Sequence, residues 1–157
     1  LVRLVPDGNF TGVTFVGVGP GDPSLLTLAG VQAIQEANVI AYPVPRPGDE
    51  SMAAKIVHQW ITNEHKRLPL VFPMTLEIGP RKDAWKGAIN ALLKEVSAGK
   101  KVAFLSQGDV SLYSTSSYVL MGLEASQHAC PIRLIPGVFF YTVIILVPTY
   151  TSIRFIT

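Results

Sequence analysis

The chain holds a single cysteine, Cys130, among 157 residues. That excludes an intrachain disulfide and any cysteine-rich metal site, and it fits a reducing compartment. The three histidines, His58, His65 and His128, lack the spacing of metal ligands, so surface or core roles are expected for each. Charge of one sign is also scarce. The net charge is only +2 and dispersed, and the densest basic run is His65-Lys66-Arg67. This is not the basic face that nucleic acid requires. The amino terminus shows no basic segment leading into an apolar signal region. The longest apolar run, "VFFYTVIILV" over 138–147, falls well short of the roughly 20 residues of a membrane span, and Pro148 and Arg154 interrupt any extension. The expectation is a cytoplasmic chain with neither a membrane nor a nucleic-acid partner.

Enough apolar sequence remains to build a core. Hydrophobic residues make up 48% and charged residues 15%, which argues against disorder. The length suits one ordinary domain or two small ones. Residues 13–18 read as a short, buried, valine-rich strand. A helix is expected from Pro23 to Ala37, capped by Asp22, with Leu26, Ala29, Ala33, Ile34 and Ala37 on one face. Residues 38–42 read as a strand and the proline-rich 43–48 as a loop. A helix is expected over 49–61, with Met52, Ile56 and Trp60 on one side. An extended segment at 67–72 precedes a helix over 81–98 that points Trp85, Ile89, Leu92, Leu93 and Val96 inward and ends at Gly99. Strands at 101–105 and 131–135 flank a helix at 115–128. Alternating strands and helices indicate an α/β fold, a mostly parallel sheet flanked by helices. Ligands in such sheets bind beyond the carboxyl ends of the strands.

Two glycine loops fall at such ends. The first is "GVGPGDP", residues 17–23. Gly17 and Gly19 match the opening of the dinucleotide fingerprint, but Asp22 stands at its third glycine, and no Walker lysine follows. Pro20 removes a backbone donor, and Asp22 puts negative charge where phosphate would sit at a helix start. The loop is therefore not a phosphate cradle. It is either a close-approach turn against which something broad and flat lies, or a capped turn without a ligand. The second loop is "LSQGDVSLYSTSS", residues 105–117. Gly108 permits an unusual dihedral or close approach, and Asp109 is an acceptor for a hydroxyl or amine. Ser111, Ser114, Thr115, Ser116 and Ser117 supply hydroxyls that bind or simply cap the next helix. No Ser–His–Asp, Cys–His or paired-carboxylate arrangement can be assembled, which favours chemistry driven by positioning.

Taken together, the loops resemble the tetrapyrrole methylases, which transfer methyl from S-adenosylmethionine to a tetrapyrrole carbon. The resemblance rests on "GVGPGDPSLLTLAGVQAIQEANVIAYP", on "VAFLSQGDVSLYS" and on "IRLIPGV", in that order. The segments "LPLVFPMT" (68–75), "GDESMAAKI" (48–56) and "GDVSLYSTSSYVL" (108–120) resemble most the members acting at carbon 20 of precorrin-2 or cobalt-precorrin-2.

The resemblance implies a donor site at Pro20, Gln107, Gly108, Asp109, Leu112, Tyr113, Pro136 and Gly137. It implies a tetrapyrrole trough along Gly19, Pro20, Gly21 and Asp22, a homodimer as in its relatives, and no metal; it names no catalytic residue. Arg46, Lys55, Arg81 and Lys82 are candidates for acceptor carboxylates by charge alone, with solvated surface the simpler role. The family carries two α/β domains. Here 12–135 would be the amino-terminal one and 136–157 the start of the second, which is expected to be largely missing. Past Val138 the sequence "FFYTVIILVPTYTSIRFIT" departs from the family's small-residue helix. An inactive or tetrapyrrole-binding remnant, or a member acting at another carbon, are the alternatives.

Overall fold

In the computed structural model, residues 10–75, 77–110, 115–126 and 130–139 are described. Five strands form one parallel sheet: β1 (Val13–Gly17), β2 (Val39–Val44), β3 (Lys66–Val71), β4 (Val102–Ser106) and β5 (Ile132–Ile135), in the order β3-β2-β4-β1-β5. The connecting helices are α1 (Leu28–Glu36), α2 (Met52–Ile56), α3 (Ile78–Ser97) and α4 (Thr115–Ala125). The α/β expectation holds, and every residue of β1 and β4 is buried, as strands covered on both faces require.

The strand order explains the two-sided core. From β1 the chain moves outward through β2 to β3, then jumps back to β4 and on to β5. Crossovers of one hand that run in opposite directions put their helices on opposite faces. Accordingly, Val16, Ile40, Ala103 and Leu105 pack with Ala33 and Ile34 of α1 and Ala53 and Ile56 of α2. The alternate strand residues Phe15, Ala41 and Phe104 pack with Ala88 and Leu92 of α3 and Val119 and Leu123 of α4. Phe15 and Phe104 stand opposite in register with ring centroids 5.1 Å apart, adding about 0.5–1.5 kcal/mol beyond burial. Glu95 of α3, although buried, is bonded by the Lys66 ammonium of β3.

Several boundaries differ from expectation for identifiable reasons. Asp22 does cap, but what it caps is a single 3-10 turn, Pro23–Leu25. The chain is extended at Leu26, which is buried, and Thr27 caps α1 afresh, its Oγ1 accepting from Gly30 N at 3.1 Å. The sheet-facing positions of α1 are then Gly30, Ala33 and Ile34, while Ala29 is exposed. The expected helix over 49–61 is one turn, α2, followed by a 3-10 turn at His58–Trp60; Met52 faces solvent and Ile56 the core.

Pro43 belongs to β2 rather than to a loop. It lies past the residues paired with β4, opposite Leu70 of the edge strand, where a missing N–H is tolerated. Helix α3 begins three residues earlier than expected, and Gly99 follows it at φ +75° as the cap rule anticipates. The end expected for α4, at 128, lies outside the described residues.

Candidate functional site

β1, β4 and β5 are neighbours, so the loops leaving their carboxyl ends meet: residues 18–22, 107–110 and 136–139. Connections from β1 and β4 depart in opposite directions, which makes their ends a topological switch point where a crevice is expected. Here the crevice is bridged. Val18 N donates to Ser106 O at 2.9 Å; beyond it Gly19 N donates to Gly108 O at 3.1 Å and Gly108 N to Gly19 O at 2.8 Å. Both glycines have positive φ, +79° and +76°, so this reciprocal pair depends on their left-handed conformation.

The third loop is fastened from beneath and from the side. Gly17 and Gly137 cross in backbone contact: a Cβ on Gly17 would lie 2.5 Å from Gly137 N, and one on Gly137 would lie 2.3 Å from Gly108 O. From the side, Gly137 N donates to Asp109 Oδ2 at 2.9 Å. Behind the second loop, the buried hydroxyls of Ser106 and Ser116 are 3.1 Å apart, tying the end of β4 to the first turn of α4.

The structure therefore brings together Gly19, Pro20, Gly108, Asp109, Pro136 and Gly137. Pro20 and Asp109 are half-buried; Gln107 and Pro136 are exposed. Gly21, at φ +150°, and Gly108 both have open space where a side chain would project. Leu112 and Tyr113 lie outside the described residues. Asp22 is exposed and its Oδ1 accepts from Ser24 N at 2.8 Å. Hydrogen bonds from Ser24, its side chain first and its backbone second, hold that carboxyl below its ordinary value of 3.8. The carboxylate thus serves the turn at the very place where a phosphate would bind.

Gly17 and Ser106 escaped the sequence reading as parts of the site. Gly17 opens both the failed fingerprint and the first family-like segment, and Ser106 lies within the second, but neither pattern says that these positions join the loops. Of the basic candidates, Arg46, Lys55 and Lys82 are exposed, and Arg81 sits 5.4 Å over the Trp85 ring, which itself stacks on Tyr118. Lys55 lines a groove of about 430 Å³ beside α2 together with Tyr42, Asp49, His58 and Arg67. No helix among the described residues is long and apolar enough to cross a membrane.

Three loops joined by backbone contacts and hydrogen bonds at the carboxyl ends of a parallel sheet form a candidate ligand site of the α/β class. The sequence profile of the Tetrapyrrole (Corrin/Porphyrin) Methylases matches residues 12–146, and the chain belongs to that family. It is 29% identical over 131 residues to the cobalt-precorrin-2 C(20)-methyltransferase of Salmonella typhimurium, covering 82% of this chain and 53% of that protein. It is 33% identical over 131 residues to the precorrin-2 C(20)-methyltransferase of a Sinorhizobium species, covering 78% and 52%. Among solved structures it is similar to the uroporphyrin-III C-methyltransferase of Thermus thermophilus complexed with S-adenosylhomocysteine. That match has a TM-score of 0.58 and 26% identity, over 82% of this chain and 45% of the other. The chain spans about half the length of the curated relatives it matches.

Proposed function

We propose that this chain takes part in S-adenosylmethionine-dependent methylation of carbon 20 of precorrin-2 or cobalt-precorrin-2, in cobalamin biosynthesis. The observation that carries the reading is the junction itself. The three segments that resemble the family's motifs are far apart in sequence, yet they are joined by the Gly19–Gly108 pair and the Asp109–Gly137 hydrogen bond. The two C(20)-methyltransferase relatives support the choice of carbon.

In this reading Pro20, Gln107, Gly108, Asp109, Leu112, Tyr113, Pro136 and Gly137 form the donor site, by contact or by shaping its loops, and Gly19, Pro20, Gly21 and Asp22 border the tetrapyrrole. The residues present fit such a group: the positive φ of Gly108 turns the loop so that the space beside its Cα is open, and the exposed Gln107 carboxamide offers both a donor and an acceptor. When bound, S-adenosylmethionine supplies an electrophilic methyl on a sulfonium. The chain's own work is orientation. A loop junction held at the backbone level keeps two ligands in line, which lowers the barrier to methyl transfer; the proton displaced from the acceptor carbon leaves to solvent or to a basic atom of the acceptor. The reading extends to a cytoplasmic homodimer, with residues 12–135 as one domain and 136–157 opening a second.

The test is a calorimetric titration of S-adenosylhomocysteine into the purified chain, with NADH and ATP as controls. Binding of S-adenosylhomocysteine alone is the expected result, and methyl gain by precorrin-2 is then read by mass spectrometry. Binding of NADH or ATP instead, or of nothing, would overturn the reading.

A further inference from the structure

We propose that Asp109 is a positioning residue: its carboxylate sets the loop 136–139 over the donor platform by holding the Gly137 N–H. This deepens the proposed function and rests on it for the donor's identity, but the placement is carried by geometry alone. Asp109 Oδ2 accepts from Gly137 N at 2.9 Å across 28 residues of sequence, in a half-buried setting. Among the described residues no other group accepts from that N–H, and β5 ends two residues before it, at Ile135, so the sheet ladder does not reach it. The glycine crossing adds the reason for precision. With Gly17, Gly108 and Gly137 in backbone contact, Gly137 has no side chain of its own with which to fix its height. A charged acceptor from the neighbouring loop supplies the missing constraint, and such bonds are stronger than neutral ones.

It follows that Asp109 acts on a ligand through the third loop. Two measurements on the full chain separate this from a direct ligand contact: hydrogen exchange at the Gly137 amide without ligand, and affinity for S-adenosylhomocysteine. In Asp109→Ala the Gly137 amide should exchange at least about tenfold faster, as loss of a charge-assisted bond implies, and affinity should fall by a similar factor. Asp109→Asn, which keeps an oxygen acceptor of the same shape, should restore most of both. Unchanged Gly137 protection in Asp109→Ala would overturn the proposal. So would equal loss of affinity in the Ala and Asn variants with Gly137 still protected, because that pattern marks a carboxylate in direct contact with ligand. If the unaltered chain does not bind S-adenosylhomocysteine, the functional reading fails, while the exchange measurement still decides the role of Asp109.

Discussion

Replacing Gly17 with alanine tests the glycine junction most directly. Gly17 closes β1 in register with Ser106 of β4, and the residue before it, Val16, is also paired with Ile135 of β5, so the strand end has little freedom to shift. A Cβ there would stand 2.5 Å from Gly137 N, 2.8 Å from Gly137 Cα and 2.9 Å from Gly108 O. All three are backbone atoms, so no side chain can rotate away. Moving the closest contact from 2.5 Å to an ordinary 3.4 Å takes a displacement of about 0.9 Å. The central strand cannot supply that without breaking its ladder, so loop 136–139 must move, and the Asp109–Gly137 hydrogen bond lengthens with it.

The cost can be bracketed from two sides. Overpacking at a filled site costs about 1–3 kcal/mol. Releasing the loop instead forfeits a hydrogen bond to a charged acceptor, about 1.5–3 kcal/mol. Both routes give the same range, a fall in melting temperature of roughly 2–12 °C for a domain of this size. The assay is urea and thermal unfolding of Gly17→Ala beside Gly87→Ala. Gly87 lies within α3, is exposed, and has nothing within 4 Å of where its Cβ would be. There alanine removes backbone freedom and should stabilise by about 0.5–1 kcal/mol. One chemical change, two opposite signs. Gly17→Ala unfolding at the wild-type midpoint would refute the crowded junction.

Two further outcomes are expected. Removing either hydroxyl of the Ser106–Ser116 pair should cost about 1–3 kcal/mol because a buried polar group loses a partner; the double alanine variant should cost less than the sum, and additivity in that cycle would show the pair to be unimportant. The Asp22 carboxyl, followed by NMR, should titrate below 3.8 because Ser24 bonds its charged form. Its stabilising effect is therefore present above its unfolded value and lost as pH falls through the lower folded value; Asp22→Asn should lose this acid dependence, and a titration at or above 3.8 would contradict the cap.

The sheet was legible because its strands are nearly continuous apolar runs, such as "VTFVG" and "VAFLS", and parallel burial on both faces leaves that mark. Helix ends were less so. Thr27 competes with Asp22 as a cap, and only the burial of Leu26 settles that the helix restarts between them. The proline run at 43–48 misled because a proline breaks a central strand but not the outer half of one, and sequence does not say which neighbour a residue faces. At the site, the resemblance pointed to three segments that the fold places side by side. What it could not supply was which glycines serve a ligand and which serve one another. Gly17 and Gly137 are required by contact between backbones 120 residues apart, and no local pattern encodes such a contact.

That distinction settles why a glycine-rich turn after the first strand does not behave as a phosphate cradle. A cradle needs glycines that free backbone N–H groups to face an anion, and a helix whose first turn is left uncapped toward it. Here the N–H of Gly19 is used by Gly108 and that of Gly108 by Gly19. The first turn after the loop is a 3-10 turn already capped by Asp22, and α1 starts only after a second cap at Thr27. The amides are satisfied within the protein, and the switch point between β1 and β4 is bridged by the same two bonds. On the proposed function, a ligand at this end of the sheet would lie across the loops rather than between the strands. On that same reading, such a surface would suit a broad, flat acceptor approached by a second ligand from one side.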